Sequence, residues 1–286
     1  MIVLVGCAIV IGAILIGFTM AGGHAGALIH VSEFVTIGGA SLGALIVTSP
    51  KKVIVDLVKS LIGLLKGSPY GKSTYTDLFK LMYTIARMVR REGLLALESV
   101  IGNPHGGPLF KKYPKIDKNH HAKVFLCDAL GLIADGKADP KQLTAAFEEE
   151  VKVIEREHHA AVMVLTKTAD ALPGFGIVAA VLGIVVTMQA IGGPVEEIGH
   201  KVGAALVGTF LGILLSYGFF APLAGRMEFQ GEAEIIFFRT ISAAVVAISE
   251  GEGPRDVIAR ARRMVGTDCR PTQAELTQIF KESEAA

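Results

Sequence analysis

Four stretches of this sequence, residues 1–21, 34–48, 171–191 and 202–223, contain no Asp, Glu, Lys or Arg. The hydrocarbon core of a bilayer is about 30 Å thick and takes roughly 20 helical residues to cross. Three of the four stretches reach that length, and the glycine-rich second one falls short of it. Lipid offers the backbone no hydrogen-bond partner, so each stretch is predicted to be helical. A mean hydropathy of +0.51 in a chain that is still 19% charged supports a membrane as its solvent. The first stretch is followed by the small residues Ala21, Gly22 and Gly23, as a cleaved signal would be, yet no Lys or Arg precedes Lys51. It is therefore read as a span.

Cytoplasmic loops retain Lys and Arg, so their placement orients the chain. Nineteen lie between the second and third stretches, eight follow the fourth, and only Lys201 sits in a short hairpin connection. The long insert and the C-terminal tail are thus expected in the cytoplasm, together with both termini. The expected division is two spans in residues 1–49, a helical cytoplasmic domain in 50–169, two spans in 170–225 and a helical tail in 226–286. A formal charge of +1 provides no concentrated basic surface for nucleic acid. Cys7, Cys127 and Cys269 are scattered without metal-ligand or disulfide spacing.

Within the insert, residues 51–66 place Val53, Leu57, Leu61 and Leu64 on one helical side and Lys52, Asp56 and Lys59 on the other. This amphipathic helix either lies on the inner membrane face or packs on its own chain. A helix is predicted over 73–100, then a breaker cluster at Gly102, Asn103, Pro104, Gly106, Gly107 and Pro108, then a helix over 122–134 stopped by Asp135 and Gly136. Asp139 as N-cap and Pro140 in the first turn open a helix with no further breaker before Pro173. The third span is therefore the continuation of a long cytoplasmic helix, and the fourth is predicted to continue through residues 228–250. No β-pattern competes, so the fold class is all-α.

Gly39, Ala40, Gly43 and Ala44 in the second span, and Ala204, Gly208 and Gly212 in the fourth, form small-residue pairs that let membrane helices approach closely. An uncompensated charge in mid-span costs roughly 2.5–3.5 kcal/mol on insertion scales, so proteins keep one there for a task. The nearest acidic residues, Glu33, Glu196 and Glu197, fall at span ends and are expected to be solvated. Any ion-carrying carboxylate is then expected from another chain. Pro173, Ala180 and Thr187 share one helical face at seven-residue intervals, and Ala205, Thr209, Gly212 and Ser216 share another. Together these faces offer a narrow, weakly polar lining, although a hydroxyl in a span often bonds its own helix. Pro173 and Pro222 each remove a backbone hydrogen bond near a span end, where a kink either hinges or merely packs.

The segment Ala171-Leu-Pro-Gly-Phe-Gly-Ile-Val-Ala-Ala-Val, the segment Val207-Gly-Thr-Phe-Leu-Gly-Ile-Leu-Leu-Ser-Tyr-Gly-Phe, Pro222-Leu-Ala, and Arg90 with Gly93 and Glu98 resemble the MotA-type flagellar motor stator proteins of the MotA/TolQ/ExbB proton channel superfamily. The resemblance covers almost the whole chain. It implies a multi-pass subunit of the bacterial inner membrane, five copies of which surround two single-span MotB-type partners whose aspartate carries the ion. Pro173 and Pro222 match the family's functional prolines, and Thr209 its pore-facing threonine. Arg90 and Glu98 match residues that engage the rotor protein FliG.

Sodium-driven relatives carry a threonine where this chain has Ala180, and a methyl group cannot ligate a hard cation. Proton coupling is the resulting expectation. The alternative within the superfamily is an ExbB/TolQ-type subunit that energises outer-membrane processes, which has three spans. No nucleophile elbow, phosphate loop or metal-ligand spacing marks the chain as an enzyme or calls for a cofactor.

Overall fold

The computed structural model describes residues 2–102, 108–134 and 139–285, and all of their regular structure is helical. The chain divides into two compact units, Met1–Gly67 with Glu157–Gln230, and Ser68–Arg156 with Gly231–Ala286. Of the predicted breakers, residues 103–107, 135 and 136 lie outside the described residues.

The first unit holds α1 (Ile2–Met20), a 3₁₀ turn at Ala25–Leu28, α2 (Val31–Thr48) and α3 (Lys51–Lys66). None of the α1 side chains is buried, so this helix presents an apolar surface all round. On α3, Leu57 and Leu64 are buried among Ala161, Val164, Leu165, Ala224 and Met227, while Val55, Val58, Ile62 and Leu65 stay exposed. Of the two positions open to this amphipathic helix, its Leu57 face takes the one against its own chain.

The second unit contains α4 (Lys72–Glu92), a 3₁₀ turn at Leu94–Leu97, and the short helices α5 (Glu98–Ile101), α6 (Pro108–Lys111) and α7 (Pro114–Asp117), followed by α8 (His120–Ala134). The single helix predicted over 73–100 is therefore interrupted. Gly93 adopts φ +81°, and its N–H closes α4 on the Val89 carbonyl at 2.9 Å. Glycine accepts that left-handed turn without a Cβ penalty, so a C-cap overrides the apolar periodicity.

The two long helices that the sequence predicts are present. Helix α9 runs 50 residues, Pro140–Gln189, straight through Pro173, and the Asp139 carboxylate accepts the Lys141 N–H at its start. Helix α10 (Val195–Ile213) passes through a π-helical segment, Leu214–Phe220, into α11 (Ala221–Ser249). The wider turn is marked by Ala221, whose N–H reaches back five residues to the Ser216 carbonyl, and it directly precedes Pro222. The chain closes with α12 (Pro254–Arg262) and α13 (Gln273–Ala285). In the second unit Phe79, Phe125, Phe147, Phe237 and Phe238 are buried in one core, with the Phe125 and Phe238 rings 4.8 Å apart. Among the described residues, four helices are long and apolar enough to cross a membrane.

One expectation is overturned inside the first unit. Helix α2 begins at Val31, ahead of the uncharged stretch, so its first turn includes Glu33. Glu33, Ile37 and Ser41, four residues apart, are the buried face of α2. Glu33 is only 6% exposed rather than solvated, and a span-packed carboxylate therefore does belong to this chain. Glu196 and Glu197 are exposed, the latter paired with Lys201 at 2.8 Å.

The α9–α10 contact is made backbone to backbone. A methyl added at Gly176 would lie 2.9 Å from the Gly208 carbonyl, and one at Gly212 would lie 2.7 Å from the Leu172 carbonyl and 2.8 Å from the Gly176 Cα. Backbone cannot swing aside as a side chain does, so Gly212→Ala should destabilise the assembled protein by about 1–3 kcal/mol through overpacking. Thermal unfolding of the purified protein in detergent should show the loss. Gly131→Ala in α8, where an added methyl meets nothing within 4 Å, should leave stability unchanged or slightly raised.

Candidate functional site

The small residues of α9 and α10 form an antiparallel seam. Gly176 faces Gly208 and Gly212, the Ala179–Ala180 turn faces Gly208, and Gly183 faces Ala205. A methyl on Gly208 would stand 3.3 Å from the Ala180 backbone nitrogen. The seam thus sets Ala180 at the depth of Thr209, the next residue along α10, and both are half-buried in the isolated chain. These two sequence-predicted lining residues are brought together.

Thr187 lies two turns further along α9, buried, and its hydroxyl donates to the Gly183 carbonyl at 2.8 Å. That satisfies its proton locally, as threonines in helices often do. Pro173 is half-buried and follows Leu172, whose carbonyl abuts Gly212, while Pro222 is exposed just past the π segment. The α9 stretch 171–189 and the stretch 202–225 carry no Asp, Glu, Lys or Arg. The paired helices therefore present a weakly polar surface without a carboxylate of their own.

Glu33 approaches the seam from α2. Its Oε2 lies 2.6 Å from where a Cβ on Gly208 would stand, so a side chain there would displace the carboxyl end. The sequence hides this, because Glu33 stands immediately before the uncharged stretch that opens at Phe34. The available signal was the four-residue spacing of Glu33, Ile37 and Ser41. At the end of the unit where the α1–α2 and α9–α10 connections lie, a cavity of about 1000 Å³ is lined in part by His24, His30, Glu196, His200, Val207 and Phe210.

In the second unit Arg90 and Glu98 are both exposed, on either side of the Gly93 turn. The helix that carries Arg90 is held by the C-terminal helices. Lys72 pairs with Glu275 at 2.7 Å and Lys80 with Glu282 at 2.5 Å. Arg87 donates to the Ser283 carbonyl at 3.0 Å. The Tyr83 hydroxyl and Arg255 both donate to the same Glu284 oxygen, at 2.7 and 3.2 Å, and Arg255 also sits 5.6 Å from the centre of the Phe280 ring. No sequence pattern pairs these partners, because about 200 residues separate the two sides.

The chain is similar in sequence to the family described as motility protein A N-terminal over residues 4–93, and to the MotA/TolQ/ExbB proton channel family over residues 117–239. It is 35% identical to motility protein A of Salmonella typhimurium, over 97% of this chain and 94% of that one. It is 34% identical to the chemotaxis protein LafT of Vibrio parahaemolyticus, over 94% of each. In structure it is similar to MotAB of C. jejuni, with a TM-score of 0.78 and 23% identity over 95% of this chain and 98% of that one.

The α13 clamp responds to acid in a defined direction. The Lys72 ammonium and the Thr272 backbone N–H hold the Glu275 carboxyl down to about 2, and Lys80 lowers Glu282 while Tyr83 and Arg255 lower Glu284. A carboxylate depressed in the folded state contributes stability above its unfolded value, and that stability drains as pH falls toward the folded value. The hydrogen-exchange protection of α13, corrected for the intrinsic exchange rate at each pH, should therefore fall as pH is lowered from about 4.5 to 2. Glu275→Gln should show the faster exchange already at neutral pH.

Proposed function

The chain belongs to the motility protein A family, the stator subunits of the flagellar motor, and from that premise we propose how its parts divide the work. The paired α9 and α10 helices form one wall of a proton path in the bacterial inner membrane. The other side is a single-span MotB-type partner, whose aspartate carries the proton past Ala180 and Thr209. The observation that carries this reading is the glycine seam, which fixes Ala180 and Thr209 at one depth on a surface without charge.

Ala180 offers no oxygen to replace a metal ion's hydration shell, which favours a proton over sodium. Pro173 ends the wall where α9 leaves the seam, and Pro222 follows a π-helical turn of the kind found at functional sites. Both prolines sit where a change of charge in the path would be felt as a change of helix direction. Both termini, residues 50–169 and the tail 226–286 face the cytoplasm in this reading. There, Arg90 and Glu98 meet the rotor protein FliG. Five copies around two partner chains would let each proton advance the ring by one step. Thr187 lines the path through its backbone-bonded hydroxyl. The match of the N-terminal 90 residues to the motility branch favours the stator over an ExbB/TolQ-type energiser.

Charged groups at a rim mainly steer and register an encounter. In cells whose motility depends on this chain, Arg90→Glu should lower swimming speed several-fold while the complex with the partner purifies at unchanged size and yield. Adding Glu98→Lys should deepen the loss. Normal motility in the double reversal would show that these residues do not make the rotor contact.

A further inference from the structure

Among the described residues, the buried side-chain oxygens without a hydrogen-bond partner are Glu33 Oε2, Ser41 Oγ, Ser49 Oγ and Ser216 Oγ, all in the membrane-spanning unit. Buried polar atoms are normally paired, so four orphans in one region call for a role. Three of them recur every eight residues from α2 to its end. The fourth, Ser216, lies eight residues beyond Gly208, against which Glu33 packs, so Ser41 and Ser216 fall at about the same depth. Glu33, Ser41 and Ser216 are 6%, 5% and 1% exposed.

The elements packed around Glu33 leave its charge uncompensated. Helix α9 has no Asp, Glu, Lys, Arg or His between Asp170 and Gln189, and α10 has none after Lys201. At the outer turns of α10, Glu196, Glu197, His200 and Lys201 are present, with Lys201 engaged by Glu197. From its own side Glu33 has His24 in the preceding turn and His30, whose carbonyl accepts the Glu33 N–H at 3.2 Å. A bare carboxylate in apolar surroundings takes up a cation or is expelled. Expulsion is prevented here by the α2 face it shares with Ile37. The cavity lined by His24, His30, Glu196 and His200 is also lined by Val207, the residue before Gly208, and imidazoles are suited to passing protons near neutral pH.

We propose that Glu33 is a proton-binding carboxyl of this chain, loaded from the histidine-lined cavity, with Ser41 and Ser216 as the next oxygens inward between α2 and α10. The stator would then hold a proton in each copy of this subunit, besides the one on the partner's aspartate. The inference rests on the stator reading.

The test uses the whole complex with its partner, reconstituted in lipid vesicles. Acid-driven proton uptake and the infrared C=O stretch of carboxylic acids are compared between wild type, Glu33→Gln and Glu33→Asp. The expected result is that Glu33→Gln assembles, loses one carboxylic acid band and takes up protons several-fold more slowly, whereas Glu33→Asp keeps a shifted band and part of the uptake. An unchanged spectrum in Glu33→Gln overturns the proposal, as does a lost band with unchanged uptake. Should Glu33→Gln fail to assemble, Gly208→Ala places a methyl against Oε2 and must shift the same band. An unshifted band then overturns it. Absence of uptake in wild type would instead sink the stator reading itself.

Discussion

The arrangement of the membrane-spanning unit depends on one contact, the direct approach of the α9 and α10 backbones at Gly176, Gly183, Gly208 and Gly212. Lipid tails are as apolar as leucine, so helices inside a bilayer gain little from apolar burial and associate through close packing. Glycine removes the side chain that would hold the two axes apart. Three consequences follow from the same seam. Ala180 and Thr209 are set at one depth, Glu33 is admitted beside Gly208, and α2 is anchored through Ile37, Leu172, Ala179 and Leu211.

The second unit is stabilised by different means. Its core is a cluster of phenylalanines and tyrosines in the manner of a soluble domain, and its surface helix α4 is clamped by α13 through ion pairs and hydrogen bonds. Exposed pairs of that kind contribute little individually. Several along one helix define where α13 lies, and with it the surface that carries Arg90.

The sequence disclosed the features governed by composition and by local chemistry. Uncharged stretches located the spans, and Asp139 with Pro140 located the start of a 50-residue helix. What it did not disclose depends on partners distant in the chain or on competition between local signals. Glu33 reads as a polar residue at a span end until α10 is known to present a glycine opposite it. The apolar spacing across residues 73–100 runs past Gly93, whose positive φ stops the helix. The π-helical turn before Pro222 has no periodic signature, since residues 210–221 are apolar on nearly every side and offer no polar face whose shift would reveal it. Likewise, the small residues of α2 resemble those of α10, yet a methyl added at Gly39 or Gly43 would meet nothing within 4 Å.

In the proposed reading a proton, and not a metal cation, passes along a wall without ligating oxygens at Ala180. Swimming speed in cells relying on this stator, recorded as external sodium is varied at a fixed proton-motive force, tests it most directly. The expected speed is independent of sodium. A speed that rises and falls with sodium would contradict it.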